Sequence, residues 1–251
     1  GNGGIDQITG GTGNDVIEGG AGNDILNSST GTDSVKGGDG NDAFAFSGDH
    51  VSAGDVYDGG DGIDVIAFNA DMTDGASTLQ SFSNFEVLRL NAGAADTITM
   101  SNLLNTQATI STIQYGDAGG NTMTVNNVGD SVTDIQLGIN AASVTGDTVV
   151  MDRLVDASAN TLTITHDSGG NAAVVTAVTV DDEETITITT DTAADDLTIT
   201  ALNTNDLGTL NLTGAGNIII TAFTAATDMP TTVDATGMAG TVTDAVSSGI
   251  T

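Results

Sequence analysis

The sequence predicts an all-β protein in which a right-handed parallel β-roll continues into a threonine-rich β-solenoid. Two observations favour this fold class. A nine-residue repeat fills residues 1–67, and after it β-branched residues alternate with apolar ones in phrases that recur at regular spacing. Composition changes at about residue 68, since 18 of the 34 glycines lie in residues 1–67 and 36 of the 40 threonines lie in residues 68–251. We therefore expect two domains, 1–67 and 68–251.

Two positions define the nine-residue repeat. Counted from Gly1, with a four-residue insertion at 46–49, seven copies follow one another. The sixth residue of every copy is aspartate: Asp6, Asp15, Asp24, Asp33, Asp42, Asp55 and Asp64. The eighth residue is always apolar or aromatic: Ile8, Ile17, Leu26, Val35, Phe44, Tyr57 and Ile66. Seven phased copies exclude a flexible Gly/Asp-rich linker.

The physical chemistry of the repeat points to a bound cation. Glycine allows sharp turns over the first six residues, and the last three form a short strand whose middle side chain points inward. A coil with one core residue per repeat buries too little apolar surface to fold alone. Turns two repeats apart lie on the same side, so an aspartate from one and main-chain carbonyls from the next can enclose Ca²⁺, which takes six to eight oxygen ligands. Asp39, Asp61 and the amides of Asn14, Asn23 and Asn41 would add oxygens nearby.

Two copies of the repeat depart from the pattern. Ser28 and Ser29 replace the glycine pair of the fourth copy, and residues 50–54 of the sixth copy lack it. We expect the cation sites of Asp33 and Asp55 to be partial or empty.

The second region reads as a ladder of short strands. Phrases such as Asn121-TMTV, Asp147-TVVM and Glu184-TITI start at separations of one or two multiples of roughly 12.5 residues. This spacing predicts a coil of about 25 residues with two strands per turn. An antiparallel sandwich also has closely spaced strands and stays an alternative, although Asn-Gly and Asp-Gly hairpin turns are largely missing. Long helices are not expected, and residues 101–105 could form one turn at most.

Composition excludes several classes of function. Three Lys+Arg against 34 Asp+Glu give a net charge of −31, so neither nucleic acid nor an anionic membrane surface is a partner. The sequence contains no apolar run long enough to predict membrane insertion. Cysteine is absent, which removes disulfides and thiol nucleophiles. The chain has no GxSxG or HExxH motif and no tryptophan to stack on a sugar, so we expect no enzyme activity.

A few further residues have side chains that could take part in catalysis or metal binding. His50 and His166 are the two histidines, and we expect both to be turn residues in solvent rather than catalytic bases. The acidic clusters 181–184 and 195–196 are interpreted either as extra Ca²⁺ sites or as solvated turns, and the sequence leaves that choice open.

Several stretches resemble the calcium-dependent surface-layer proteins of alphaproteobacteria, within the wider RTX class of exported proteins. They are Asp58-GGDGIDVIAF-Asn69, Asn84-FEVLRLN, Leu207-GTLNLTGAGN and Thr231-TVDATGMAG. The resemblance implies a β-solenoid, type I secretion of an unfolded chain, folding on meeting extracellular Ca²⁺, and assembly into a two-dimensional lattice. By motif position it implies Ca²⁺ ligation by the carboxylates of Asp6, Asp15, Asp24, Asp42 and Asp64, with Asp33 and Asp55 in the weaker copies. It also implies carbonyl ligands at Gly4, Gly11, Gly13, Gly20, Gly22, Gly38, Gly40, Gly60 and Gly62.

These observations predict a non-enzymatic extracellular structural protein at the bacterial cell surface. We expect a Ca²⁺-stabilised subunit that self-assembles into a homo-oligomeric lattice or filament, with cell-surface polysaccharide as a further candidate partner. The alternatives are a calcium-binding repeat module of a large RTX adhesin and the secretion tail of a protease or lipase. We also expect the chain to be part of a longer or processed protein.

Overall fold

The computed structural model describes residues 1–46, 51–52, 54–69, 81–91, 96–100, 109–116, 120–138, 146–154, 160–167, 169–223 and 229–244. The described residues contain 22 strands. They are β1 Gln7–Thr9, β2 Val16–Ala21, β3 Ile25–Asn27, β4 Ser34–Asp39, β5 Ala43–Phe46, β6 Val56–Asp61, β7 Val65–Phe68, β8 Ser81–Ser83, β9 Val87–Leu90, β10 Asp96–Thr99, β11 Thr112–Tyr115, β12 Thr122–Val128, β13 Asp134–Leu137, β14 Thr148–Arg153, β15 Thr161–His166, β16 Ala173–Val180, β17 Thr185–Thr190, β18 Leu197–Asn203, β19 Thr209–Gly214, β20 Ile218–Phe223, β21 Thr232–Met238 and β22 Val242–Asp244. Their parallel pairing confirms an all-β solenoid, and the antiparallel sandwich is wrong.

Two compact units divide the chain, Gly1–Ile113 and Gln114–Thr251. The change in composition at residue 68 lies inside the first unit. The domains 1–67 and 68–251 therefore stay a prediction based on composition.

The first unit is a coil of alternating strands from two parallel sheets. One sheet contains β1, β3, β5, β7 and β9, and the other contains β2, β4, β6 and β8. Gln7 pairs with Ile25, so one coil takes up two nonapeptides. Ala43 and Val65 pair across the insertion at 46–49, so this coil is longer than the first by the length of the insertion. The insertion thus widens one coil without breaking the register.

The interior of the first unit changes along the coil. In the second to seventh repeats, the eighth-position side chain is fully or almost fully buried, as the strand pattern predicts. Aromatic rings then fill the wider coils, where Tyr57 stacks on Phe82 with ring centroids 4.9 Å apart and Phe44 meets Phe85 edge-on at 4.8 Å. Five of the six phenylalanines pack in this cluster: Phe44, Phe46, Phe68, Phe82 and Phe85. They supply apolar burial that the thin repeat coils lack.

The second unit is also a two-sheet coil. One of its sheets contains β13, β15, β17, β19 and β21, and the other contains β12, β14, β16, β18, β20 and β22. Thr161 pairs with Thr185 and Thr185 with Thr209, so the length of one coil agrees closely with the predicted length. On β17, Ile186 and Ile188 are buried while the intervening threonine is partly exposed. Threonines therefore stack in ladders on the outer face of the sheet.

Two features named from the sequence, His50 and the turn at 101–105, lie outside the described residues. Within the described part of the chain, no helix has the length and apolarity to cross a membrane.

Candidate calcium-binding site

The turns of the first unit arrange the seven repeat aspartates in two rows. Because each coil contains two nonapeptides, alternate repeats fall on the same side. The first carboxylate row contains Asp6, Asp24, Asp42 and Asp64, and the second carboxylate row contains Asp15, Asp33 and Asp55.

One oxygen of most of these carboxylates links successive coils. The main-chain amide of Asp24 donates to Oδ1 of Asp42 at 2.8 Å, and the amide of Asp42 donates to Oδ1 of Asp64 at 2.7 Å. The second row repeats this contact, since the amide of Asp15 donates to Oδ1 of Asp33 at 2.9 Å. The Oδ1 ladder therefore fixes the carboxylates that accept these bonds and leaves their other oxygen to face the turn.

The second oxygen of most of these carboxylates is buried and has no protein partner. This holds for Oδ2 of Asp15, Asp24, Asp33, Asp42 and Asp64. A buried, unpaired carboxylate oxygen costs about 1–3 kcal/mol or more, so native proteins supply a donor or a metal. Five such oxygens in two regular rows indicate a cation at each turn.

Main-chain carbonyls converge on the same places. A Cβ built on Gly19 would lie 2.5 Å from Asp24 Oδ2 and 2.6 Å from the carbonyl oxygen of Gly37 in the next coil. Real Cβ atoms do not approach oxygen so closely, so only glycine fits at position 19. The same convergence occurs at Gly37, which faces Asp42 Oδ2 and the Gly59 carbonyl. Each turn is thus an oxygen-lined space that a side chain would fill.

The glycines at the second and fourth positions of the repeats stack closely on the same positions of the preceding coil. Gly38 and Gly40 have φ of 121° and 128°, and they lie against the carbonyl oxygens of Gly20 and Gly22 in the preceding coil. Gly60 and Gly62 lie in the same way against Gly38 and Gly40, and Gly22 lies against Gly4. Gly11 and Gly13 also have positive φ, but a Cβ on either would meet no atom within 4 Å. The carbonyls of Gly4, Gly20, Gly22, Gly38 and Gly40 thus face a glycine of the next coil, and their ligation of an ion stays a prediction.

Burial and mutual repulsion act on the carboxylates when no cation is present. Burial, with the nearby charges of Asp42 and Glu86, raises the pKa of Asp64 to about 6. Burial, with the charge of Asp24, also raises the pKa of Asp42. Ionised Asp42 and Asp64 are therefore unfavourable in the ion-free fold at neutral pH, and a nearby positive charge would stabilise them.

Asp55 differs from the other buried aspartates because its second oxygen has protein donors. Tyr57 Oη donates to Asp55 Oδ2 at 3.0 Å, and the main-chain amide of Ser52 donates to it at 2.5 Å. Ser28 Oγ lies 2.9 Å from Tyr57 Oη. The sequence predicted weak sites at Asp33 and Asp55. Asp33 nevertheless has an unpaired buried oxygen like the intact repeats, and whether either binds an ion stays a prediction.

The remaining predicted oxygen donors lie at the rim of the turns. Asp39 and Asp61 are exposed, and their main-chain carbonyls accept from the amides of Gly22 and Gly40. The amide oxygens of Asn14, Asn23 and Asn41 each accept a main-chain hydrogen bond from the following coil. These asparagines therefore connect turns within the structure.

The donor set fits Ca²⁺ on physical grounds. It consists of carboxylates and main-chain carbonyls, which are the hard oxygen ligands that Ca²⁺ prefers, and it contains no sulfur or imidazole. A family comparison supports this. Residues 1–35 and 25–50 match the RTX calcium-binding nonapeptide repeat (4 copies). The chain carries RTX calcium-binding repeats. Neither the search of curated proteins nor the search of solved structures gave a match.

RTX repeats bind Ca²⁺, and the bound ion supplies the positive charge that this carboxylate array lacks. Asp15, Asp24, Asp33, Asp42 and Asp64 would hold it with Oδ2. At Asp24, Asp42 and Asp64 a main-chain carbonyl of the facing turn lies close by. The chain is therefore a Ca²⁺-binding structural module.

Two carboxylates of the acidic clusters outside the repeats, Glu183 and Asp195, are buried in the second unit. Glu183 is fully buried and forms an ion pair with Arg153, with Glu183 Oε1 2.6 Å from Arg153 Nη2, so the solvated turn is wrong at this residue. Its Oε2 is buried without a hydrogen-bond partner, and whether it binds an ion stays a prediction. Sequence reasoning missed this pair because its partners lie far apart in the sequence and on different coils. Asp195 is also buried and closes its own turn, since its carboxylate accepts from Thr192 and from the amide of Gly170.

Two further groups of polar side chains lie in the second unit. Oxygens of Asp167, Asp191 and Asp195 lie within 4.8 Å of one another, but both oxygens of Asp195 already accept hydrogen bonds. His166 is buried, and its ring nitrogens contact the carbonyls of Leu137 and Asn171. The expectation that His166 is a solvated turn residue is wrong, because it ends β15 with its ring inside the coil.

Proposed function

We propose that the protein is a non-enzymatic extracellular structural subunit at the bacterial cell surface, which Ca²⁺ converts from an unfolded, exportable chain into a β-solenoid. The observation that carries this proposal is that five repeat aspartates each have a buried carboxylate oxygen without a protein partner. Without Ca²⁺, these charges repel one another in the interior. With Ca²⁺, binding to the native state alone stabilises the fold.

This mechanism agrees with export by a type I secretion system, because the Ca²⁺ concentration in the cytosol is low. RTX repeat proteins are typically secreted, and a chain that stays unfolded until it meets millimolar Ca²⁺ outside the cell can pass a narrow secretion channel. The net charge of −31 favours the unfolded state in the cell, because 34 acidic side chains repel one another with only three basic ones to offset them.

The proposed assembly is a surface lattice or a filament of copies of this chain. Its support is the resemblance to surface-layer proteins and the outer face of the second unit, where threonine ladders present hydroxyls in place of charge. Cell-surface polysaccharide is the proposed attachment partner. A repeat module in an RTX adhesin would share the Ca²⁺ chemistry but would not assemble by itself.

Electron microscopy of the full chain with millimolar Ca²⁺, and after excess chelator, tests the assembly. We expect ordered sheets or filaments with Ca²⁺ and none after chelation. Folded single particles in Ca²⁺ at high protein concentration would refute self-assembly and favour the adhesin module.

A further inference from the structure

The oxygen arrangement of the repeats continues beyond the last nonapeptide. Strand β8 pairs with β6 so that Ser83 lies opposite Asp58, and Asn84 therefore follows Ser83 as Gly59 follows Asp58. The Cβ position of Gly59 lies within 2.6 Å of both Asp64 Oδ2 and the carbonyl oxygen of Asn84. Asn84 thus presents its carbonyl where Gly37 and Gly59 present theirs to the preceding turns.

Asn84 has a left-handed backbone conformation and a side chain that is bound to the previous coil. Its φ of 57° is left-handed, which asparagine tolerates better than most residues other than glycine. Its side-chain amide donates to Asp58 Oδ1 at 2.7 Å, so the residue is fixed to the edge of the previous coil.

The unpaired oxygen of Asp64 is the second, independent sign of a ligand. Asp64 is fully buried, its Oδ1 accepts from the amide of Asp42, and its Oδ2 has no partner. The Asn84 carbonyl oxygen converges with Oδ2 on Gly59, and two facing oxygens cannot satisfy each other without a positive charge or a proton between them.

The row of sites ends with this turn. Glu86 takes the place of the next aspartate, because its Oε2 accepts from the amide of Asp64 at 2.8 Å. Its Oε1 accepts from Thr109 Oγ1 at 3.1 Å, so neither oxygen is left unpaired. Three residues, 84–86, replace the six of Gly59–Asp64, and the side chain of Phe85 is buried against Phe44.

We infer that a Ca²⁺ ion bound by Asp64 takes the main-chain carbonyl of Asn84 as a ligand and so ties the segment 81–91 to the repeat coil. The site lies partly outside the nonapeptides, which end at residue 67, so the repeat pattern does not assign it. The inference rests on Ca²⁺ binding by the repeats and is independent of assembly into a lattice.

Isotope labelling of one carbonyl tests this ligand directly. Asn84-Phe85 is the single Asn-Phe pair in the chain, so ¹³C-carbonyl asparagine with ¹⁵N-phenylalanine gives one NMR peak for the Asn84 carbonyl. Ca²⁺ is then exchanged for diamagnetic La³⁺, which keeps the protein folded and changes the charge at every site. We expect the Asn84 carbonyl resonance to shift. A sample labelled at Asn217-Ile218, a pair that is also unique and lies in the second unit, is expected not to shift.

Matched variants locate the ion. Asp64→Asn should lose one bound Ca²⁺ per chain, and amides 81–91 should lose hydrogen-exchange protection in saturating Ca²⁺. Asp15→Asn in the second carboxylate row should also lose one ion but keep that protection. If Asp64→Asn fails to fold, the La³⁺ exchange in the unaltered chain still decides.

Three outcomes have separate meanings. An unshifted Asn84 carbonyl, or full protection of 81–91 in Asp64→Asn, would overturn the inference while leaving Ca²⁺ binding by the repeats intact. A proton shared between Asp64 and Asn84 in place of an ion would leave the La³⁺ spectrum unchanged and would equally overturn it. A chain that binds no Ca²⁺ at all would instead refute the proposed function.

Discussion

Four repeat aspartates, Asp24, Asp33, Asp42 and Asp64, divide their two carboxylate oxygens between structure and ligand. Oδ1 accepts a main-chain amide from the preceding coil, as Asp42 does from Asp24, and Oδ2 faces the turn. In the copies of Asp24, Asp42 and Asp64 the first residue is glycine, and the absence of a side chain there keeps the facing space open. Ca²⁺ binding at these turns therefore depends on the absence of a Cβ atom at the first position as much as on the carboxylate.

Gly19→Ala should remove one Ca²⁺ site. Gly19 does not have positive φ, so its backbone tolerates alanine, but the new Cβ would lie 2.5 Å from Asp24 Oδ2. Isothermal titration calorimetry should find one fewer bound ion per chain. Gly3→Ala is the matched control, because its Cβ would meet nothing nearer than the Ala21 carbonyl at 3.7 Å. Equal ion counts for the two variants would contradict the assignment of the turns.

Tyr57→Phe should destabilise the Ca²⁺-loaded protein by about 1.5–3 kcal/mol, since it removes a hydrogen bond to the buried carboxylate of Asp55. Tyr115→Phe removes a hydrogen bond of a buried tyrosine to the uncharged carbonyl of Val150, and we expect about 0.5–1.5 kcal/mol there. Urea unfolding in saturating Ca²⁺ measures both. A smaller loss of stability in Tyr57→Phe than in Tyr115→Phe would contradict the interpretation that protein hydrogen-bond donors take the place of an ion at Asp55.

Acid should have opposite effects on the Ca²⁺-free and Ca²⁺-bound protein. The pKa of Asp64 is raised to about 6 in the fold, above about 3.9 in the unfolded chain, so the ion-free fold gains stability as the pH falls from about 7 to about 4. Ca²⁺ binds the ionised form, and its affinity should weaken below about pH 6. Chemical unfolding and Ca²⁺ titrations across this range measure the two trends. Asp64→Asn should flatten both, and an unaltered pH dependence in that variant would contradict the role of this carboxylate.

At the scale of elements, much of the first unit follows from the sequence because its contacts are periodic. Seven aspartates and seven apolar residues at fixed positions predict the strands, the turns and the two-repeat coil, which Gln7–Ile25 pairing confirms. The coil length of the second region follows in the same way from recurring threonine phrases, and the pairing of β15, β17 and β19 agrees closely with it.

Contacts that do not recur with the sequence repeat could not be predicted from the sequence. The Ser28–Tyr57 contact joins two copies of the repeat that depart from its pattern, and the Asn84 turn has no glycine or aspartate to mark it. The sequence-based interpretation of His166 failed because strand ends and turns look alike in composition, whereas burial depends on coil width.

The buried pair Arg153–Glu183 ties together three coils of the second unit. Arg153 Nε donates to Glu183 Oε1 at 2.7 Å, and Nη1 donates to the carbonyl of Gly129 at 2.8 Å. Arg153→Met should therefore cost about 3–5 kcal/mol, because it leaves the Glu183 charge buried without its partner.

The double variant Arg153→Met with Glu183→Met is the control for that prediction. It removes both charges and should recover most of the lost stability, as measured by urea unfolding. A double variant no more stable than Arg153→Met would show that packing, rather than charge pairing, explains the loss.

In the whole molecule, the net charge of −31 opposes folding when Ca²⁺ is absent and so makes folding depend on Ca²⁺. If one Ca²⁺ binds at each of the five aspartates with an unpaired buried oxygen, about 10 of the 31 negative charges are offset. The second unit has no comparable array among its described residues and is expected to depend on its threonine ladders and isoleucine core. Ca²⁺ should therefore act most strongly on the first unit.

Hydrogen exchange of the full chain, followed by mass spectrometry, tests the central claim that Ca²⁺ folds the repeat coil. In millimolar Ca²⁺ we expect the amides of β1 to β7 to be strongly protected. In excess chelator at neutral pH, the same amides should exchange at the rate of an unfolded chain. Equal protection of residues 1–67 with and without Ca²⁺ would contradict the account.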